Sequence, residues 1–427
     1  MTPRQIANDA ALQGTDTDLA RSGAALSELG EDVRTQMNEA LHADEALFEN
    51  GPPVGLQRRL GFVIGSQLNV GRRAVIVGAV GWAPLLVLAG IQNVTMRTDG
   101  MMSLLWDAGM HARYLIAAPL LVLAEAHCAS RLNAIVRHFA DAGLVADRDR
   151  GPYDAAVAST RAQLNSRAAE IIVIALAYLL MSAAVFSLPF DQFPVWHKTG
   201  SLAPGFSPAG WWHLLVSLPL LLTLLLGWAW RFALWAQLLW RIARIDLRLL
   251  PSHPDGTAGL AVLGYSLRAF SLLAMALATI IAGRSAHIVL VDGALPREHV
   301  IFSAGLLVVV GAFFAAPLFF FTPILMRALQ RGSFEYGVLA NRVGAVFEEK
   351  WFGRNKPVDN SALEKPDFSA TTDLYAIVAN VYALRLVPID PKSIAMLGVA
   401  LLLPFVPIVF LALPMDEILA GLKGLLF

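Results

Sequence analysis

Long apolar runs alternate with polar segments along most of the chain. A helix rises about 1.5 Å per residue and the hydrocarbon core of a bilayer is roughly 30 Å thick, so about 20 apolar residues span it. The pattern therefore predicts an all-α integral membrane protein with seven transmembrane helices. The runs lie at residues 74–91, 114–135, 171–188, 211–250, 263–291, 300–326 and 394–413.

The fourth run is the longest and sets the predicted orientation. It is uncharged from Leu214 to Trp230 and keeps a helical pattern up to Pro251, so the predicted helix spans the bilayer and projects about two turns or more into water. Basic residues favour the cytoplasmic side of a membrane, which predicts a cytoplasmic N-terminus and an outer C-terminus. The arginines of this run all lie in its second half, at Arg231, Arg241, Arg244 and Arg248.

The polar segments divide the chain into four regions. The first is acidic and has apolar residues at helical spacing, which predicts an amphipathic helix packed on its own domain, or alternatively an oligomerising coiled coil. The regions are an acidic cytoplasmic region at 1–56, spans one to six with cytoplasmic helix extensions at 57–326, a cytoplasmic helical segment at 327–392, and span seven with an outer, interfacial tail at 393–427.

Local signals predict where several helices begin. Gly151-Pro152 indicates the start of a helix that runs on into the third span. Asp390 is predicted to cap the last span, with Pro391 in its first turn. Arg72 and Arg73 are predicted to lie on the cytoplasmic side, just before the first span.

Composition narrows the class of protein further. Hydrophobic residues make up 56% of the chain and charged residues 15%, with a mean hydropathy of +0.57, so much of the chain is predicted to lie in lipid. The net charge is zero, which gives no basic field for nucleic acid. Cys128 is the single cysteine, which excludes an intrachain disulfide. No nucleotide, metalloprotease or hydrolase motif is present, so neither an enzyme nor a cofactor is expected.

Glu125 is the most informative polar residue. It lies within the second span, near the predicted bilayer midplane, where an ionised carboxylate costs several kcal/mol and needs a partner or a water-filled cavity. Arg284 and His287 of the fifth span, together with Arg231, are the candidate partners. The alternatives are a static ion pair between helices and a position on an ion path. A metal site with His127 and Cys128 is disfavoured, since residues two apart point to different faces of a helix.

The turn after the fourth span carries the second signal, in the run LLPSHPDGTAGL at residues 249–260. This run resembles the pattern L-x-P-x-H-P-D-x-x-G-G-L of a bacterial family of polytopic membrane proteins, with Ala258 in place of the first paired glycine. The resemblance implies the membrane class and no particular chemistry. A structural joint is favoured, in which the Asp255 carboxylate accepts backbone amides. As a ligand site, the turn would bind a cation or an anionic headgroup through His253 and Asp255, beside Gly256 and Gly259.

Two functions are compatible with these features. The first is a channel or transporter for a small ion or solute, with Glu125 on the path; the intramembrane carboxylate and the prolines within the spans favour it slightly. The alternative is a membrane-embedded sensor or scaffold that binds a partner through its cytoplasmic helices. The expected partners are the bilayer of a bacterial inner membrane, a second copy of the chain and a cytoplasmic protein, and no nucleic acid.

Overall fold

The computed structural model describes residues 47–48, 51–55, 70–96, 99–199, 205–293, 297–352 and 367–412. These ranges are helical, and their only β pairing is two isolated bridges, Val145–Leu247 and Lys198–Phe206. The helices are α1 Val70–Met96, α2 Gly100–Leu105, α3 Ala108–Asp141, α4 Arg150–Leu164, α5 Arg167–Ser187, α6 Pro208–Ile242, α7 Tyr265–Ala269, α8 Ser271–Asp292, α9 Arg297–Ala315, α10 Thr322–Trp351, α11 Asp367–Tyr382, α12 Pro391–Leu402 and α13 Val406–Ala412.

The prediction of seven candidate spans is confirmed. Seven stretches are long and apolar enough to cross a membrane: α1, α3, α5, α6, α7–α8, α9–α10 and α12–α13. The cytoplasmic N-terminus and outer C-terminus stay a prediction. The acidic helix predicted in 1–56 falls almost wholly outside the described residues, and so does the predicted tail from residue 413.

The fourth span ends earlier than its pattern predicts. The helix stops at Ile242 instead of Leu250, and residues 243–249 form a loop. The loop has other backbone partners, since the Arg248 amide donates to the Leu144 carbonyl at 2.8 Å and Leu247 bridges to Val145. The prediction of helix from 243 to 250 is therefore wrong, although the 35 residues of Pro208–Ile242, about 52 Å long, still exceed the thickness of a bilayer core.

The third span is also separate from the helix before it. A continuous helix from Gly151 was predicted, but α4 ends at Leu164 and α5 begins at Arg167. Ser166 breaks the run because its extended backbone starts a new helix and its hydroxyl accepts the Ala169 amide at 3.4 Å. The cap predicted for the last span is confirmed, since the Asp390 side chain accepts the Ser393 amide and Pro391 opens α12.

The central helices run antiparallel in pairs and define two ends of the bundle. Half of the residues in the most apolar stretch of α3 and of α6 are buried, but only 22% of those in α5 and in α12–α13. The helices α3 and α6 therefore form the centre of the bundle, and α5, α12 and α13 lie at its periphery. We name the end where α1 begins and α6 finishes, marked by Arg72 and Arg241, the basic end. The opposite end, marked by His111 and His213, is the histidine end.

Small residues allow the central helices to approach closely. A Cβ at Gly81 of α1 would lie 2.8 Å from the Tyr114 ring of α3, and one at Gly283 of α8 would lie 2.4 Å from the Cβ of Ala112. Such close packing supplies the dispersion contacts that hold membrane helices together, because lipid provides no hydrophobic drive for their association.

Prolines within the spans create polar links between neighbouring helices. Pro84 has no N–H, which frees the Val80 carbonyl one turn earlier in α1. Trp212 of α6 donates to that carbonyl through its indole N–H at 3.2 Å. In α6, Pro219 follows Leu215 by one turn, and the Leu215 carbonyl accepts the Tyr178 hydroxyl of α5 at 3.1 Å. The freed carbonyls are thus satisfied by side chains of adjacent helices.

Beyond the apolar belt, α10 and α11 form an antiparallel hairpin. A Cβ at Gly344 would lie 2.8 Å from the Tyr375 hydroxyl, and one at Gly337 would lie 3.3 Å from the Tyr382 hydroxyl. The two glycines are seven residues apart in α10, and the two tyrosines are seven residues apart in α11, which is the spacing of one heptad. The segment at 327–392, predicted to be helical, thus contains most of α10 and all of α11.

Candidate functional site

Glu125 is buried between two arginines from different helices. Its Oε2 accepts Arg73 Nη2 of α1 at 2.6 Å, and its Oε1 accepts Arg231 Nη2 of α6 at 3.1 Å. The three side chains are only 1–3% exposed. We call this group the arginine–glutamate cluster. It ties the first, second and fourth spans together at one point.

The predicted partners on the fifth span lie elsewhere. The His287 ring is 3.3 Å from the Trp106 carbonyl and 3.9 Å from the Asp107 carboxylate, at the histidine end. Arg284 is exposed at the same end. Of the partners proposed for Glu125, the structure thus brings only Arg231 to it. It adds Arg73, which the sequence pattern assigned to the water-exposed flank of the first span.

The depth of Glu125 explains this error. The helix that carries Glu125 begins at Ala108 and not at Tyr114, so the carboxylate lies about 26 Å from the start of α3 at the histidine end, by 1.5 Å per residue. Its contact with Arg73, in the first turn of α1, places it near the basic end of the first span. Arg73 lies in the first turn of α1 and Arg231 lies in the last third of α6, so all three reach the same level.

A short segment before α1 covers the cluster. Gly51–Val54 are buried, and the Gly51 carbonyl accepts Arg231 Nη2 at 3.3 Å. A Cβ at Gly227 of α6 would lie 2.3 Å from the Pro52 carbonyl, so the glycine makes room for this segment. Sequence analysis assigned Gly51–Val54 to the end of the acidic region at 1–56. The glycine inside the leucine-rich run of α6 was the signal that a backbone passes there.

Among the described residues, two guanidinium groups face one carboxylate in this cluster. The Nε and Nη1 donors of Arg231 are buried there with no hydrogen-bond partner in the described part of the chain. The Arg231 guanidinium also lies 5.3 Å from the Trp228 ring centroid. The thiol of Cys128, three residues after Glu125, donates a hydrogen bond to the Ala269 carbonyl at 2.9 Å. Among the described residues, no group of three or more His, Cys, Asp or Glu is arranged to hold a metal ion.

A second buried group lies at the histidine end. Tyr114 of α3 has its hydroxyl 2.9 Å from His213 Nε2 of α6, and His213 Nδ1 lies 3.0 Å from His197 Nε2 in the preceding loop. We call these three residues the tyrosine–histidine chain. His197 stacks on Trp196 at 3.9 Å, and the Trp196 indole donates to the Asp107 carboxylate at 3.2 Å.

The protonation of His197 follows from its burial. Removal from water lowers the pKa of His197 from 6.5 to about 4; Asp107 opposes this shift, and the nearby cations Arg113 and Lys198 add to it. The neutral imidazole is therefore the form that the fold accommodates. Its Nδ1 atom is buried without a hydrogen-bond partner.

Two π-helical turns bring Tyr114 and His213 together. They cover Ala112–Ala117 in α3 and His213–Ser217 in α6, and each ends two residues before a proline, Pro119 or Pro219. An inserted π turn shifts the side chains that follow it, and such turns are frequent at functional sites. Sequence reasoning noted the prolines only as kinks and missed the histidines, because the three members lie in three separate segments.

The turn after α6 adopts a capped structure. The Asp255 carboxylate accepts the amides of Thr257 at 2.8 Å, Ala261 at 3.0 Å and Gly259 at 3.1 Å, and it also lies 2.9 Å from His253 Nδ1. Burial alone would raise the pKa of Asp255, but these amides and His253 hold it below its ordinary value. The carboxylate is thus used by its own turn, which favours the structural joint over a ligand site.

Ala258 occupies a left-handed backbone position in this turn. Its φ is +56°, between Gly256 at +67° and Gly259 at +97°. A side chain at such a position costs about 1–2 kcal/mol, which glycine avoids. This strain gives a physical reason for the first paired glycine in the family pattern that the run resembles.

Ala258→Gly is expected to stabilise the fold by up to about 1 kcal/mol, because relief of the left-handed strain outweighs the greater freedom of glycine in the unfolded chain. The measurement is the thermal midpoint of the purified protein in detergent. Ala261→Gly is the control, since Ala261 lies in the helical turn that follows and should lose stability. An Ala258→Gly midpoint as low as that of the control would show that the position is unstrained.

No family model, curated protein or solved structure matches this chain in the three comparisons. The geometry of the clusters and of the α10–α11 hairpin therefore carries the functional argument.

Proposed function

We propose that the chain is a polytopic inner-membrane scaffold or sensor that binds a partner protein through the α10–α11 hairpin. The observation that carries this proposal is an exposed face of α10, outside the membrane, on which apolar side chains lie at four-residue spacing on either side of the exposed Arg342. Phe334, Val338 and Val346 are 77%, 49% and 64% exposed there. The positive-inside bias favours a cytoplasmic position for the hairpin.

The position of this face separates it from the lipid-facing surface. The apolar part of the sixth span reaches Phe321. Phe334 lies 13 residues farther along, or about 20 Å at about 1.5 Å per residue. Single exposed apolar side chains are common on soluble surfaces, but several on one helix mark an interaction site. An amphipathic helix of a partner is the occupant that such a face suits.

Transport through Glu125 has weaker support. The carboxylate is held by Arg73 and Arg231 and covered by Gly51–Val54, which is the geometry of a static ion cluster. Cavities of 420, 470 and 710 Å³ open at the basic end of the described residues, and Glu125, Arg73 and Arg231 line none of these. The tyrosine–histidine chain is equally buried and lines none of these three.

The proposal is tested by photo-crosslinking in native membranes. A photoreactive phenylalanine analogue at position 334 or 338 of the full chain is expected to give one discrete adduct heavier than the chain. The same analogue at Asp373, exposed on α11, is expected to give none. Val338→Asp should abolish the adduct formed at position 334, because a buried charge disfavours the interface. Thr372→Asp, which adds the same charge on α11, should leave it intact.

Two outcomes would contradict the proposal. One is labelling at 334 and 338 no stronger than at 373. The other is an adduct of twice the chain mass containing only peptides of this chain, which would assign the face to a homo-oligomer instead.

A further inference from the structure

Three adjoining cavities surround the loop that follows α6. The largest, 710 Å³, lies between residues 243–249 and the first turns of α10. A cavity of 470 Å³ shares Asp246, Leu247 and Arg331 with it, and one of 420 Å³ shares Arg244 and Ile245. Because neighbouring cavities share these walls, they form one groove, which we name the arginine groove.

The charge of the groove is strongly positive. One carboxylate, Asp246, lies among its lining residues and is paired with Arg148. The Arg244 guanidinium lies over the Trp240 ring, 3.6 Å from the ring centroid, in a cation–π contact. Arg331 uses one Nη2 donor on the Leu249 carbonyl at 3.1 Å, which leaves further N–H groups of its guanidinium available. The arginines that line the groove are Arg148, Arg241, Arg244, Arg248, Arg327 and Arg331.

The groove lies at the edge of the apolar belt. Its helical wall starts at Ile324, three residues after the apolar sixth span reaches Phe321. Trp240, Phe319 and Met326 next to it are 41%, 53% and 38% exposed. An exposed tryptophan is typical of the membrane–water interface, and the exposed apolar side chains provide a surface for acyl chains.

We infer that the arginine groove binds the phosphate group of an anionic lipid headgroup. Guanidinium groups match phosphate geometry through paired N–H donors, and a basic pocket between helix ends at the membrane surface suits such a headgroup. The basic end is the predicted cytoplasmic side, where anionic lipids attract basic groups. The largest of the three cavities in the groove, 710 Å³, is within the range that holds a small ligand. This inference does not depend on the partner-binding proposal.

The test is a titration of the full chain, purified in a neutral detergent, with water-soluble short-chain lipids. Dihexanoyl phosphatidylglycerol is expected to bind at least about tenfold more tightly than dihexanoyl phosphatidylcholine, and more weakly as salt is added. Arg327→Gln/Arg331→Gln should weaken phosphatidylglycerol binding by at least about tenfold. Arg342→Gln, an exposed arginine three to four turns farther along α10, should leave the Kd unchanged. Melting curves and gel filtration establish that each variant is folded.

Competition by glycerol 3-phosphate identifies the source of the phosphate. Weak competition supports a lipid, because acyl contacts then contribute to binding. Competition equal to that of phosphatidylglycerol overturns the lipid assignment and points to a soluble phosphate ester. Equal affinity for the two lipids, or an unchanged Kd in the folded double variant, overturns the inference as a whole.

Discussion

Glu125→Gln is expected to lower the free energy of unfolding by about 3–5 kcal/mol, since loss of one partner leaves buried charge uncompensated. Arg73 and Arg231 are 1% and 2% exposed and share this carboxylate. Glutamine keeps the shape and two hydrogen-bonding atoms but loses the negative charge. The measurement is the unfolding free energy, or the thermal midpoint, in one detergent for all variants.

A control variant tests whether the loss of any charged side chain lowers the thermal midpoint. Arg284→Gln, at an exposed position of the fifth span, should leave the midpoint nearly unchanged. The double variant Glu125→Gln/Arg231→Gln should recover part of the loss, because it also removes the buried guanidinium of Arg231 that Glu125→Gln leaves without its carboxylate. If Glu125→Gln melts like the wild type, the arginine–glutamate cluster is not the structural link described above.

Acidification is expected to destabilise the fold through His197. The unfolded chain protonates this histidine with an ordinary pKa of 6.5, whereas burial lowers the folded-state pKa of His197 to about 4. The unfolded state thus binds more protons between these values. The contribution of His197 is complete above pH 6.5 and is lost as the pH falls toward 4. From about pH 7 to about pH 4.5 the loss is about 2 kcal/mol.

The readout is the difference in pH slope between the wild type and His197→Gln. Glutamine places a hydrogen-bonding group near His213 but does not titrate, so its stability should fall less steeply over this range. Parallel pH profiles for the wild type and His197→Gln would contradict the burial of a neutral imidazole.

The spans and the cap of the last helix were predictable, and the partners of Glu125 were not. Runs of about 20 apolar residues have few alternatives to a membrane helix, and an aspartate before a proline has few alternatives to a cap. Pairing of Glu125 depends on its depth, and depth is counted from helix ends, which hydropathy locates only to within about a turn or two. Because the level of Glu125 was misplaced, Arg284 was predicted as its partner instead of Arg73.

The tyrosine–histidine chain was unpredictable for another reason. Its members come from α3, α6 and a loop, and two π turns change the helical register that sequence analysis assumes. His197 lies in a polar loop where burial leaves no pattern in the sequence. Gly81 and Gly227 did mark places of close approach, but one sequence does not show which segment approaches them.

The most direct test of the account is ion and proton flux in vesicles that contain the purified wild-type chain. If the arginine–glutamate cluster and the tyrosine–histidine chain are structural links within a scaffold, the flux of monovalent cations, anions and protons should equal that of empty vesicles. A wild-type flux clearly above the empty vesicles would contradict the account and restore the transport function. Glu125→Asp and His213→Gln, each tested for folding, would then show which cluster lies on the path.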